Sequence, residues 1–425
     1  NNFCIIVGLK NSTMKNNFLQ EMQDRGYINQ CTDLGKLREI CNKKSISGYI
    51  GFDCTANSLH VGSLVQIMML RILQKYGHKP IVLMGGGTTK VGDPSGKDNA
   101  RPLLSDQDIE TNKNGIKQVF QKYLTFGDAP SDALMVDNAD WLDTLHYIKF
   151  LRDFGAHFSI NRMMGMESVK LRLDREQNLS FLEFNYAILQ AYDFLELRRR
   201  YGCMMQLGGS DQWGNIVTGI DLTRRVDAQE VFGLTSPLIT TSSGAKMGKS
   251  ANGAIWLNQE RLSPFDFWQF WRNTEDSDVE RFLGLFSELH MDEVRRLGAL
   301  QGAEINDAKI VLANHATALC HGEAAAKAAE ATAQTTFGDK GISDGLAQFK
   351  IDWCDANGLS MIAALNLVGF AKSNGEARRL IRGGGARLND HAINDEETSL
   401  KHFDFVDGKA KISAGKKRHA LIVIR

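Results

Sequence analysis

The sequence predicts an α/β fold: a parallel sheet with helices on both faces, then a helical segment, then a small α+β module. Three observations carry this. Over the first 240 residues, short apolar strand candidates alternate with helical patterns, the rhythm of parallel strands joined by crossover helices. From residue 263 to 337 the strand signals disappear. Residues 361–425 return to a mixture of helix-like and strand-like pieces. With 425 residues, two or three domains are expected rather than one core.

The elements follow in chain order. The apolar run 3–7 is short and lacks a basic flank before it, so it makes a poor signal peptide, and Met14 is a more natural start than Asn1. Residues 1–35 are expected to be an extension and a lead-in helix. Residues 48–52 read as a strand and 64–74 as the helix after it. A second strand, 80–84, ends in Gly85-Gly86-Gly87-Thr88. Residues 133–136 precede an amphipathic stretch, 141–154. Residues 181–195 read as one helix, apolar nearly all round, and 203–207 precede a helix that begins near Asp211. This first domain is expected over 36–262. The aromatic-rich 264–272 and the alanine-rich 316–333, a strong helix composition, place a helical domain at 263–337. Glycines mark 338–345 as part of a linker expected over 338–360, and 361–425 form the last module, with helices near 361–369 and 376–383 and a final strand at 420–424.

Apolar content of 43% and charged content of 24% are ordinary for a soluble globular protein. No apolar run reaches the roughly 20 residues that cross a bilayer, so no membrane partner is expected. Seven cysteines without a CxxC pair suit reduced thiols in the cytoplasm and argue against a zinc ribbon. Net charge is zero, yet 361–425 hold twelve lysines and arginines against seven carboxylates. That asymmetry fits a nucleic-acid module on a neutral body, and on charge alone it fits an uneven surface equally well.

Glycine-rich turns at the carboxyl ends of such strands are where parallel sheets bind ligands. Between Tyr49 and Ser63 a strand ends near Asp53 and a helix starts near Ser63. Thr55 and the His60 imidazole thus sit at a helix N-terminus, which favours anions, and Gly62 allows close approach. A cap with an incidental histidine explains that stretch by itself just as well. The loop 91–101 offers Lys97 and Arg101 as mobile cations. Gly92 to Gly96 is one residue short of a GxxxxGK loop and Asp98 replaces its Ser/Thr, which excludes the ATPase reading. Tyr186, Gln190 and Asp193 fall at i, i+4 and i+7, on one helical face. With Tyr49 at a strand end, this polar stripe points to a small-molecule pocket. Gly208, Gly209, Asp211 and Gln212 sit at another strand-to-helix turn, suited to a flat or phosphorylated ligand, with Asp211 accepting from ribose hydroxyls. Lys246, Lys249 and Ser250 lie in a Gly/Ser loop able to grip charge that develops late in a reaction, although the stretch by itself also fits a solvated loop.

Together and in this order, these stretches resemble the tyrosyl-tRNA synthetases of bacterial type, within the class I aminoacyl-tRNA synthetases. The likeness runs from about Lys36 to Arg425, and GSDQWGN at 209–215 is its most family-specific part. His60-Val61-Gly62-Ser63 resembles the signature HIGH, with Ser63 for the second histidine. Residues 246–250 resemble KMSKS, with Gly248 for the middle serine. Residues 361–425 are similar to an S4-type RNA-binding domain, with 385–390 as its turn.

The resemblance implies a Rossmann-like catalytic domain that activates L-tyrosine with ATP to tyrosyl-AMP and then loads tRNA(Tyr). It implies Tyr49 and Asp193 at the phenol, and Asp93, Tyr186 and Gln190 at the ammonium group. Gly51, Asp53, Gly62, Ser63, Gly208, Gly209, Asp211 and Gln212 would surround ATP and the adenylate. Thr55 and His60 would take the leaving phosphates, with Lys97, Arg101, Lys246, Lys249 and Ser250 closing over them. Mg²⁺ would arrive on ATP, with no protein-held metal and no organic cofactor. A cytoplasmic homodimer, one tRNA touching both subunits, is expected. Ile50 stands where many relatives carry a small or thiol side chain near the ribose. A tryptophan-specific ligase of the same architecture, an RNA-binding protein without catalysis and a generic nucleotidyltransferase are the rival readings.

Overall fold

The computed structural model describes residues 18–94, 103–242, 244, 247–250, 253–337, 346–352, 356, 358–406, 408–415 and 418–424. They fall into two compact units, one within residues 1–262 and 270–320, the other within 263–269 and 321–425. The helical stretch 263–337 is thus divided between the two.

A six-stranded sheet organises the first unit: β1 (Gln30–Cys31), β2 (Ser47–Asp53), β3 (Lys79–Gly85), β4 (Leu134–Asp137), β5 (Met205–Gly209) and β6 (Phe232–Ser236). Their order is β1-β6-β5-β2-β3-β4, parallel throughout except for the two-residue edge strand β1, antiparallel to β6. From β2 the chain moves outward through β3 and β4, and later returns to add β5 and β6 on the other side. The β2–β5 boundary is therefore the topological switch point, where a ligand crevice opens at the carboxyl ends of the strands. β3 and β5 are buried along nearly their whole length, as strands covered by helices on both faces must be. Two short strands, β7 (Lys249–Ser250) and β8 (Gly253–Ala254), pair separately from this sheet.

Helix Leu64–Lys75 follows β2 and buries Leu64, Ile67, Met68 and Leu70. Helices Tyr186–Tyr201 and Trp213–Asp227 pack on each other through Gly219, where an added Cβ would lie 3.2 Å from Phe194. The lack of a side chain lets the two backbones approach closely.

Several elements differ from expectation. The helix expected at 181–195 is two, Phe181–Phe184 and Tyr186–Tyr201, and the second runs on until Gly202 caps it at φ +63°. The stretch 141–154 breaks into Ala139–Leu142 and Tyr147–Asp153. The alanine-rich helix is split by Gly322, at φ +90°, into Ile305–His321 and Glu323–Phe337, because a left-handed residue ends the hydrogen-bond ladder whatever the flanking propensities.

The second unit holds a five-stranded sheet of β9 (Ala347–Ile351), β10 (Ala386–Leu388), β11 (His391–Ala392), β12 (Lys409–Ala414) and β13 (Arg418–Ile424), ordered β11-β10-β12-β13-β9. Helices Met361–Leu367 and Asn374–Arg382 bury Met361, Leu365 and Ile381 against Ile412 and Ile422. β9 lies inside the stretch expected as linker, yet it pairs parallel with β13. Its alternating exposure, Ala-Gln-Phe-Lys-Ile, is the period-two pattern of a strand with one covered face. The basic surplus is also less open than its count suggests. Lys411 is fully buried, 3.1 Å from Asp390, and Arg378 and Arg382 share Glu396.

Candidate active site

Strand β2 carries Tyr49 into the core of the first unit, 0% exposed, and its hydroxyl has no hydrogen-bond partner among the described residues. The ring meets Phe194 edge to face, centroids 5.3 Å apart. Beside it Asp193, 2% exposed, accepts from Trp141 Nε1 at 2.8 Å and from Asn138 Nδ2 at 3.0 Å. Burial pushes the Asp193 carboxyl up to about 7; the two hydrogen bonds pull it down, and the charges of Asp53 and Asp137 add to the rise. Burial also raises the Tyr49 hydroxyl, with the Asp193 charge second. The two side chains that orient this carboxylate are neutral donors, which leaves it an acceptor suited to an incoming O–H group.

Asn138 ties this pocket to the glycine turn after β3. Its Oδ1 accepts from the Gly87 N–H at 2.8 Å, and its Nδ2 also reaches Thr88 Oγ1 at 3.0 Å. Neither Asn138 nor Trp141 stands out in the sequence. The available signal is a polar residue immediately after a strand end, at Asp137-Asn138 following β4.

The next group lies along the crevice. Asp53 ends β2, and its Oδ1 accepts from Thr88 Oγ1 at 3.0 Å and Tyr186 OH at 3.1 Å. A Cβ at Gly85 would stand 2.6 Å from that same oxygen and would have to displace the Asp53 carboxylate. Tyr186, placed by resemblance at the ammonium group, thus also braces Asp53. Gln212 Nε2 donates to Asp93 Oδ2 at 3.1 Å, Gln190 Nε2 to Gln212 Oε1 at 3.3 Å, and Asn215 Nδ2 to Gln190 Oε1 at 2.9 Å. Three expected residues, Asp93, Gln190 and Gln212, therefore form one network, anchored by the buried Asn215, the last residue of the GSDQWGN stretch. At the end of β5 a Cβ on Gly209 would lie 2.6 Å from Asp211 Oδ1. Asp211 and Gly51 are exposed. The thiol of Cys54, next to Asp53, is buried and pushed up to about 12, which leaves it no nucleophilic character.

Thr55 is exposed just beyond β2. His60 caps the short turn Val61–Ser63 by accepting the Gly62 N–H at Nδ1, 3.0 Å away, which puts the proton of a neutral ring on Nε2. Its ring stands edge-on to Trp256, 6.1 Å between centroids, and the Arg261 guanidinium covers Trp256 at 3.7 Å. The second signature reaches the same place. Gly248 O accepts from the Ile255 N–H at 3.1 Å, and Ile255 O accepts from the Val61 N–H at 2.9 Å. Lys97, Arg101 and Lys246 lie outside the described residues, as do the side chains of Lys249 and Ser250. Among the described residues, no group of three or more His, Cys, Asp or Glu is arranged for a metal ion, and no helix is long and apolar enough to cross a membrane.

The family model for class I tRNA synthetases (W and Y) matches residues 41–338. A tyrosine–tRNA ligase of Rhodospirillum rubrum is 60% identical over 409 residues, 96% of this chain and 98% of that protein. One from Dinoroseobacter shibae is 59% identical with the same coverage. Among solved structures, a C-terminally truncated mitochondrial tyrosyl-tRNA synthetase of Aspergillus nidulans superposes with a TM-score of 0.69 at 28% identity, covering 77% of this chain and 98% of that one. With a family match over most of its length and relatives this similar from end to end, the chain belongs to the class I tRNA synthetases and, within them, to the tyrosyl-tRNA synthetases of bacterial type.

Proposed function

We infer that the chain activates L-tyrosine with ATP to tyrosyl-AMP and then transfers the tyrosyl group to the 3′ end of tRNA(Tyr). One observation carries the choice of substrate: the buried Tyr49 hydroxyl without a partner, set beside an Asp193 carboxylate held by two neutral donors. A substrate phenol donates to Asp193 and accepts from Tyr49. Phenylalanine leaves the buried Tyr49 hydroxyl unpaired and denies Asp193 a third donor, a cost on the order of the desolvation of a buried polar group.

The tyrosine carboxylate oxygen attacks the α-phosphorus of ATP in line, forming the mixed anhydride as the bond to the β-phosphate oxygen breaks and pyrophosphate leaves. Negative charge grows on the phosphoryl oxygens and on the leaving group, so donors and cations matter most where they meet that charge. His60, Thr55 and the backbone of the Val61–Ser63 turn are assigned to that charge. By the family resemblance, Lys97, Arg101, Lys246, Lys249 and Ser250 would supply further cations and donors to the leaving phosphates. Mg²⁺ enters on the ATP phosphates as part of the substrate. The Asp93–Gln212–Gln190 network orients the tyrosine ammonium group, with Tyr186 beside it. Asp53, Asp211 and the Gly208-Gly209 backbone border the adenylate. A hydroxyl of the terminal tRNA ribose then attacks the tyrosyl carbonyl, and AMP departs.

The second unit is assigned to RNA binding, supported by its surplus of basic residues and by exposed Arg387 beside the β10–β11 turn. A homodimer is supported by large apolar side chains left exposed in the first unit, among them Ile148, Ile160 and Phe181. Free thiols at Cys31, Cys41, Cys54, Cys203 and Cys320 fit a reducing, cytoplasmic setting. ATP–pyrophosphate exchange measured against every amino acid tests the central assignment. Exchange should respond to tyrosine alone, and Asp193→Ala should weaken tyrosine activation far more than ATP binding. Unchanged tyrosine-dependent exchange in that variant would remove Asp193 from the phenol site.

A further inference from the structure

Two glycines meet where the two phosphate signatures touch. Gly248 has φ +101°, a conformation that L side chains rarely adopt. A Cβ built on it would lie 2.7 Å from the Gly62 nitrogen and 3.0 Å from His60 Nδ1. Gly62 mirrors this: its Cβ would lie 2.6 Å from His60 Cε1 and 3.2 Å from the Met247 carbonyl oxygen. The obstruction facing Gly248 is backbone and a ring, not the far end of a flexible side chain. That ring is held in place, since Nδ1 is engaged by the Gly62 N–H and the ring also stands edge-on to Trp256, centroids 6.1 Å apart. The loop backbone is clipped in place on both flanks, by Met247 N–H to Ile239 O at 3.1 Å and by Ile255 N–H to Gly248 O at 3.1 Å. Those clips are open to any residue type. The φ value and the clearance are open only to glycine.

We propose that Gly248 is a positioning residue for adenylate formation: its bare backbone lets the lysine loop lie directly on His60 and Gly62. Lys249, the next residue in the chain, is thereby delivered to the turn that receives the leaving phosphates. The proposal rests on the assignment of these two motifs to ATP. It makes glycine at 248 a requirement of this chain, although serine is the usual residue of the class signature at that place. Any side chain at 248 either forces the residue out of its left-handed conformation or pushes the loop off His60. The tyrosine pocket, built from β2 and helix Tyr186–Tyr201, is untouched in both cases.

The test compares the full chain with Gly248→Ala and Gly248→Ser, reading the single-turnover rate of tyrosyl-adenylate formation, the KM for ATP and the Kd for tyrosine. Both variants should form adenylate about ten-fold more slowly or worse, the cost of forcing one L residue into a left-handed conformation, with the Kd for tyrosine unchanged. A wild-type rate in the serine variant, which restores the usual signature, overturns the proposal. So does a parallel loss of tyrosine affinity, which marks a general structural role. Failure of the wild-type chain itself to catalyse tyrosine-dependent pyrophosphate exchange would overturn the assignment of function instead.

Discussion

On one side of the β2–β5 crevice, Tyr49 and Asp193 are sealed from solvent, and Asn138 and Trp141 hold the carboxylate before any ligand arrives. Among the residues assigned to ATP, by contrast, Thr55, Gly51 and Asp211 are exposed, His60 is half-buried, and the contact between the two signatures is made of glycine backbone. The two sides solve different problems. Choosing among amino acids requires that a wrong substrate leave buried polar groups short of partners, so the reading groups must be dry and held in place before the ligand arrives. Handling polyphosphate requires admitting a heavily solvated anion, meeting charge that appears only in the transition state, and releasing pyrophosphate. Burial serves the first task and would obstruct the second.

Substitutions on each side should therefore separate binding from turnover. Lys249→Ala is expected to cause the largest effect, slowing single-turnover adenylate formation by roughly 10²–10³-fold, the usual loss for one transition-state stabilising group. Its Kd for tyrosine should stay the same. A normal rate would take Lys249 out of the phosphate side. Asn138→Ala makes the opposite case: it deprives a buried carboxylate of one donor and the Gly87 N–H of its acceptor. The KM for tyrosine should rise by about 10–100-fold, the cost of breaking a hydrogen bond to a charged buried group, with the KM for ATP unchanged. Equal rises in both constants would show that the two sides are mechanically one.

The difference between the sides also governs what the sequence could reveal. Phosphate-side residues cluster in short glycine-marked stretches at strand ends, so Thr55, His60 and Gly62 are visible together, and only the contact between Gly62 and Gly248 waits for the fold. The tyrosine side is assembled from distant elements. Tyr186, Gln190 and Asp193 are legible as one helical face, but Asn138 and Trp141 come from the far end of β4. In the sequence, Trp141 reads as an apolar position of an amphipathic stretch. Its indole N–H becomes informative only when Asp193 lies 2.8 Å away. The role of Asn215 is hidden for the same reason, being that of a helix residue whose meaning is its reach to Gln190. At the level of fold, β2 to β5 announce themselves by apolar runs ending in turns. The two-residue β1 is too short for any periodicity, and β9 was masked by the glycine-rich stretch before it. Gly322 sits inside a composition so favourable to helix that the break is invisible without its positive φ.

The smallest expected effect reaches Asp193 by pH rather than by truncation. Burial raises its carboxyl to about 7 while the Asn138 and Trp141 hydrogen bonds oppose the rise. Above that value the free protein holds an ionised Asp193, a full acceptor for the substrate phenol. Below it the proton must be displaced before that hydrogen bond forms, so tyrosine binding releases a proton. The Kd for tyrosine should therefore be flat at alkaline pH and rise as pH falls through about 7, approaching a decade per pH unit. ATP binding, measured over the same range, should not share this inflection, because the hydrogen bonds of Asp193 run to Asn138 and Trp141 and not to residues assigned to ATP. Trp141→Phe sharpens the assignment. It keeps an apolar ring in place but removes a donor that favours the charged form, so the inflection should move to higher pH. A profile flat through this range, or one whose inflection Trp141→Phe leaves in place, would mean that another group sets the acceptor strength of the pocket, and the separation of a dry reading side from a wet reacting side would lose its clearest electrostatic mark.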